Sequence, residues 1–181
     1  MKRAAKPLWA LAAAAAALTY LIVMLVTGAL PQNRQIIHFK AAGVLVQSPE
    51  SVDRIEVTLA GKSAAFSRRA AGWAKEDGAP VEPPRAATLD RALKILHNSG
   101  PVRVLPPEEI AGSKPREFGF GSTSLSVTLS GSGGALLQAE FGNKNTDGVL
   151  QYMRLKGHGE LYLMSGFVGK EWETAVAEDK K

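Results

Sequence analysis

His38, His97 and His158 are the only histidines in the chain, and there is no cysteine. The histidines lie far apart, in neither His-x-His nor His-x3-His spacing, so no single helix or strand offers two of them to one ion. Without cysteine there is no thiolate ligand, no cysteine nucleophile, no disulfide framework and no lipidated N-terminal thiol. No metal or other cofactor is therefore expected. Gly119-Phe-Gly121-Ser-Thr-Ser124 has the glycines and hydroxyls of a phosphate loop. It lacks the lysine and leads into a strand rather than a helix, so a strand-entry turn is expected. Gly131-Ser-Gly-Gly134 falls short of the nucleophile elbow of a serine hydrolase. Glu108-Glu109 is a carboxylate pair, but acids in a first helical turn are favoured by the dipole alone. No constellation unites a nucleophile, a base and an oxyanion cradle. The chain reads as not an enzyme.

Arg154 and Tyr152 are the polar pair of most interest. Two residues apart in one strand, they share a face. Arg can clasp a carboxylate or phosphate while Tyr packs on the ligand; cross-strand packing explains the same pair without a ligand. With Tyr162 on the following strand, they are the candidate ligand or partner contacts. A second candidate surface is Ala12, Ala13, Ala16 and Ala17, whose four-residue spacing makes a smooth helix face for close packing on another helix.

The elements that position these residues begin with Leu8 to Leu30, 23 residues without a charged side chain. About 20 apolar residues span a bilayer, so this run is expected to be a transmembrane helix over 8–30, after a basic tail over 1–7. Lys2, Arg3 and Lys6 precede it, and the positive-inside rule places the N-terminus in the cytoplasm. The expected location is the bacterial inner membrane, with the main domain in the periplasm. Thr27-Gly28-Ala29 has the small residues of a signal cleavage site, and a retained anchor is preferred because the apolar run is long for a signal peptide. Of the 22 basic residues, the other 19 face 17 acidic ones, so the rest of the chain is nearly neutral. No concentrated basic footprint for nucleic acid remains.

Residues 31–51 form a juxtamembrane segment too apolar for a free linker, with Ile36, Phe39 and Leu45 among its members. Residues 52–177 are expected to fold as one α+β domain of antiparallel β-meanders covered by two short helices, and 178–181 form a tail. Ile55, Val57 and Leu59 alternate with Arg54, Glu56 and Thr58, the pattern of a half-buried strand. Leu125, Val127 and Leu129 repeat it, followed by Leu137, Ala139 and Phe141. Leu89, Ala92, Leu93 and Leu96 make a helical stripe with Thr88 as its N-cap, after an extended Pro80–Pro84 crossover. Val168, Trp172, Ala175 and Val176 make a second stripe. Ile55-Glu-Val-Thr-Leu-Ala-Gly61 echoes Leu125-Ser-Val-Thr-Leu-Ser-Gly131, a pattern that would divide the domain into two related halves.

Over 52–176 the order of elements resembles the bacterial domain-of-unknown-function family 4340. The resemblance rests on Ile55 and Val57, on Trp73 after a glycine turn, and on the helix Leu89 to Leu96. It continues through Glu117-Phe118-Gly119-Phe120, Phe141-Gly142, Tyr152 with Arg154, and Leu161-Tyr162-Leu163. It implies membrane-anchored, exported domains beside ABC-type transporters and gliding-motility proteins, and no catalytic residue. Here Phe118-Gly119-Phe120-Gly121 replaces the family's Phe-Gly-Leu-Asp. The function expected is that of a non-catalytic accessory protein, docking or stabilising a membrane protein complex and offering its sheet edges for strand addition. The alternatives are a periplasmic small-molecule or glycan-binding module and, last, a hydrolase.

Overall fold

Alternating apolar and polar residues build one eight-stranded antiparallel sheet, seen in a computed structural model that describes residues 8–26 and 43–177. The chain divides into two units, Met1–Lys40 and Ala41–Lys181. In the first, helix α1 covers Leu8–Val26.

The second unit holds strands β1 (Arg54–Leu59), β2 (Lys62–Arg69) and β3 (Gly72–Lys75), then helix α2 (Pro83–Asn98) and strand β4 (Arg103–Leu105). Strands β5 (Leu125–Gly131), β6 (Gly134–Lys144), β7 (Leu150–Leu155) and β8 (Leu161–Ser165) follow, and helix α3 (Gly166–Val176) ends the fold. The spatial order is β3-β2-β1-β5-β6-β7-β8-β4. The two echoing segments thus lie side by side at the centre of the sheet, with Val57 opposite Val127 and Ile55 opposite Leu129.

One face carries the core. Ile55, Val57, Leu125, Val127, Leu129, Phe141 and Met153 point to it, and α2 and α3, packed on each other, cover it with Leu89, Leu93, Leu96, Val168 and Trp172. Burying each large side chain contributes about 1.5–3 kcal/mol. Leu45 joins this core and is fully buried. The amides of Gly43 and Leu45 donate to the His97 and Leu96 carbonyls at the end of α2, and His97 Nδ1 lies 2.9 Å from the Leu45 carbonyl. The packed unit therefore begins before residue 52. Gly43 is obligatory there: a Cβ would sit 2.1 Å from the Leu96 carbonyl oxygen.

Two expectations need correction. The single N-terminal transmembrane helix is not found. Residues 27–30 of the run lie outside the described residues; the 19 residues Leu8–Val26 are helical, about 28 Å at ~1.5 Å rise per residue. Six of those are consecutive alanines, which carry little apolar surface each. Among the described residues no helix is long and apolar enough to cross a membrane. The inner-membrane location, the single-pass topology and the periplasmic placement inferred from that helix fall with it. The second concerns the domain's β-meanders: they are joined into one continuous eight-stranded antiparallel sheet, with α2 and α3 in the same unit and α1 in the other. Ala12, Ala13, Ala16 and Ala17 are exposed on α1. His38, the Thr27–Ala29 cleavage site, most of 31–51 and the tail 178–181 lie outside the described residues.

Helix α2 also starts earlier than its sequence indicates. Pro83 and Pro84 occupy its first turn, where proline costs no hydrogen bond. Thr88 lies inside the helix and donates to the Pro84 carbonyl at 3.0 Å instead of capping.

Candidate functional site

The opposite face of the sheet positions the chemistry. Cross-strand register sets its outward residues in rows. One row runs Ser63, Thr58, Ser126, Glu140, Arg154, Leu161. The next runs Ala65, Glu56, Thr128, Gln138 and reaches Lys156, whose amide donates to the Gln138 carbonyl at 2.9 Å. Helices α2 and α3 both pack on the other side.

At the β7–β8–β4 end, residues 106–124 fold over the face as a strap. Phe120 packs with Leu105, Leu161 and Leu163, and Ile110, Phe118, Leu150 and Tyr152 complete this second, smaller core. The strap is fixed by a carboxylate. Glu140 Oε1 accepts from the Ser124 hydroxyl at 2.5 Å and from the Gly121 amide at 3.2 Å. Its other oxygen, Oε2, takes Arg154 Nε at 2.6 Å and is also 2.6 Å from the terminal nitrogen of the same guanidinium. The guanidinium lies 4.8 Å from the centre of the Phe120 ring. The glycine–serine turn thus does hold an anion, and that anion is the chain's own Glu140. Gly142, at an irregularity in β6, makes room for the strap: a Cβ there would meet the Phe118 carbonyl oxygen at 2.1 Å.

Tyr152, Arg154 and Tyr162 are not brought together. Tyr152 and Arg154 share the strap face, where Tyr152 meets Phe118 edge-on at 5.0 Å between ring centres. Tyr162 is opposite Met153 and faces the helices. Its hydroxyl donates to Glu160 Oε1 at 2.7 Å and lies 3.1 Å from His158 Nδ1. Burial first, and Glu160 second, push the Tyr162 phenol up to about 12. The Tyr162 hydroxyl first, then the backbone amide and His158, hold Glu160 down at about 2. Arg154 is paired with Glu140, and the Tyr152 ring packs on Phe118.

What remains open is a shallow groove of about 460 Å³ over β5, β6 and β7, lined by Ser126, Thr128, Gln138, Glu140, Lys156 and His158, among others. Among the described residues, the side chains of Ser126, Thr128, Gln138 and Lys156 have no hydrogen bond or ion pair. Their neighbours do: Thr58 bonds Ser63 at 2.8 Å, and Arg54 Nε donates to Glu56 at 2.7 Å. Sequence reasoning overlooked all four of these free groups. For Ser126, Thr128 and Gln138 the signal was present in outward parity within strands β5 and β6, but parity alone does not separate a free polar group from a bonded one; Lys156, just past β7, had no such signal.

The sheet edges are poor templates for an added strand. Beyond β3, the Val81 amide donates to the Trp73 carbonyl and the Lys75 amide to the Ala79 carbonyl, so that edge is occupied. At the other edge β4 has three residues, with Pro101 and Pro106 close on either side. Short, proline-flanked edges resist pairing. Among the described residues no three His, Asp or Glu side chains converge as metal ligands. No family model, curated protein or solved structure matches the chain.

Proposed function

We propose that the chain is a non-catalytic interaction module that presents the uncovered face of its sheet to a protein partner. The observation that carries this reading is the groove of uncommitted hydroxyl, amide and ammonium groups on the face opposite α2 and α3. Polar groups at protein interfaces gain when they find partners there, and such surfaces mix donors and acceptors over a broad, shallow area. Several other polar groups of the face are paired internally: Thr58 with Ser63, Arg54 with Glu56, and Glu140 with Arg154. A catalytic reading finds less support: the Ser124 hydroxyl is bonded to Glu140 and to Gly121, with no histidine among its hydrogen-bond partners. The resemblance to family 4340 would make the partner part of a transport complex, and the reading of the face does not depend on it.

A photo-activated cross-linking residue at Thr128, in cells, tests the proposal against one at Lys94, which is exposed on α2. A discrete protein adduct from position 128 and none from position 94 is expected. Adducts from 94 alone, or from neither, would overturn it.

A further inference from the structure

Resting on that reading, we propose that the groove receives an acidic peptide segment of the partner. One carboxylate side chain sits beside Lys156 and His158, and the adjoining peptide groups lie on Ser126, Thr128 and Gln138.

The charges argue for the class. Three cationic or ionisable-basic side chains, Arg154, Lys156 and His158, line the groove, and Glu140 is its one lining acid. Glu140 is already held by Arg154, Ser124 and the Gly121 amide. Glu160, behind the groove, accepts from Tyr162 and lies 3.3 Å from His158. Glu56, farther along the Thr128 row, is bonded to Arg54. The surrounding acids are therefore engaged, while the Lys156 ammonium is exposed and has no ion pair. An incoming carboxylate meets an unneutralised cation at that one position.

The floor argues for a peptide rather than a bare acid. Thr128 and Gln138 stand on β5 and β6, and Lys156 directly follows β7 with its amide bonded to the Gln138 carbonyl; at about 4.8 Å between strands the row is roughly 10 Å long. An extended peptide advances ~3.3 Å per residue and crosses it in about three residues. Gln138 offers both an amide donor and a carbonyl acceptor, and the hydroxyls of Ser126 and Thr128 serve as either. That inventory matches alternating N–H and C=O groups. A sugar-binding face would place a phenyl, phenol or indole ring on the floor; here none of those lines the groove, and Phe120 packs against the Arg154 guanidinium.

The test uses the full chain, ¹⁵N-labelled, titrated with acetyl-tetraglutamate amide, with the tetraglutamine counterpart and with free glutarate. Saturable shifts confined to amides of 126–128, 138–140 and 154–158 are expected from the glutamate peptide. The glutamine peptide should bind at least tenfold more weakly. Lys156→Glu should weaken the glutamate peptide at least tenfold, and Lys94→Glu should leave it unchanged, both with native dispersion of the remaining signals. Equal binding of the two peptides, shifts elsewhere on the domain, or no shifts at millimolar peptide would overturn the assignment. Glutarate binding as tightly as the peptide would overturn it too, in favour of a small dicarboxylate. A cross-linked partner at position 128 without peptide binding refutes the acidic class alone; failure of both refutes the interaction face itself.

Discussion

The two faces of the sheet solve the burial problem differently. Under the helices almost every inward side chain is apolar, and the main polar intruder, Gln151, donates its amide to the Gly142 carbonyl at 3.0 Å. Trp172 is fully buried with its indole N–H unpaired among the described residues, so packing outweighs that lost bond. On the other face a 19-residue stretch without a regular strand does the covering. It is held by Glu140, itself paired with Arg154, and by the packing of Phe118 and Phe120. The first face is a stability device that tolerates no water. The second is partly closed by polar fastenings and partly left open, and the open part is where unpaired donors collect. Function is sought where packing did not claim the surface.

That contrast breaks most severely at Trp172. Trp172→Ala should destabilise the domain by about 3–5 kcal/mol, measured by chemical denaturation, since the cavity lies where two helices and the sheet meet. A loss below about 1 kcal/mol would mean the helix layer is not the principal core. Gly142→Ala should cost about 1–3 kcal/mol, because the added methyl collides with the Phe118 backbone. Hydrogen exchange should then accelerate over 115–124 before it does in β1 and β5.

Arg154→Ala comes next. The pair with Glu140 is half exposed on the arginine side, so about 1 kcal/mol is expected, read as faster exchange at Gly121 and Ser124 with the helices unchanged. Equal acceleration throughout would erase the distinction between the two faces. The Tyr162–Glu160 pair gives a pH test of their border. Glu160 titrates below its ordinary value, so its contribution is present above pH ~4.5 and is lost as pH falls toward about 2. Tyr162 titrates above its ordinary value, so its contribution is full below pH ~10 and is lost as pH rises toward about 12. Ultraviolet titration of Tyr162→Phe against the parent should show one phenol fewer at the high end. Smallest of all, Thr128→Ala should change stability by less than about 0.5 kcal/mol, as expected for a side chain with no internal partner.

Residues with water on one side were the legible ones. Ile55, Val57, Leu125, Val127 and Leu129 alternate in sequence because one side of β1 and β5 meets the helices and the other does not. The stripe Leu89, Ala92, Leu93, Leu96 was visible for the same reason, and all four are buried. Strand β8 was illegible as to facing. Leu161, Tyr162, Leu163 and Met164 are all buried, by helices on one side and the strap on the other, so no alternation remains to assign Tyr162. The apolar run at the N-terminus was read by its length and lack of charge alone. Glu140 carried no local signal, because its partners lie 14 to 19 residues away in sequence and only the register of β5, β6 and β7 unites them.

The position of β4 has a consequence for the order of assembly. Made directly after α2, this strand finds its neighbour not in β3 but in β8, near the end of the chain. The central seam has the same long reach, since β1 must wait for β5. Local hairpins such as β1–β2 and β5–β6 can close early, but the sheet becomes continuous only when distant segments meet, which slows folding. During synthesis α2 emerges before the strands it will cover are complete, and its apolar stripe stays bare until then. A chain stopped before Leu161 would leave β4 without a partner, so the domain's last strand closes a circuit that its first half began.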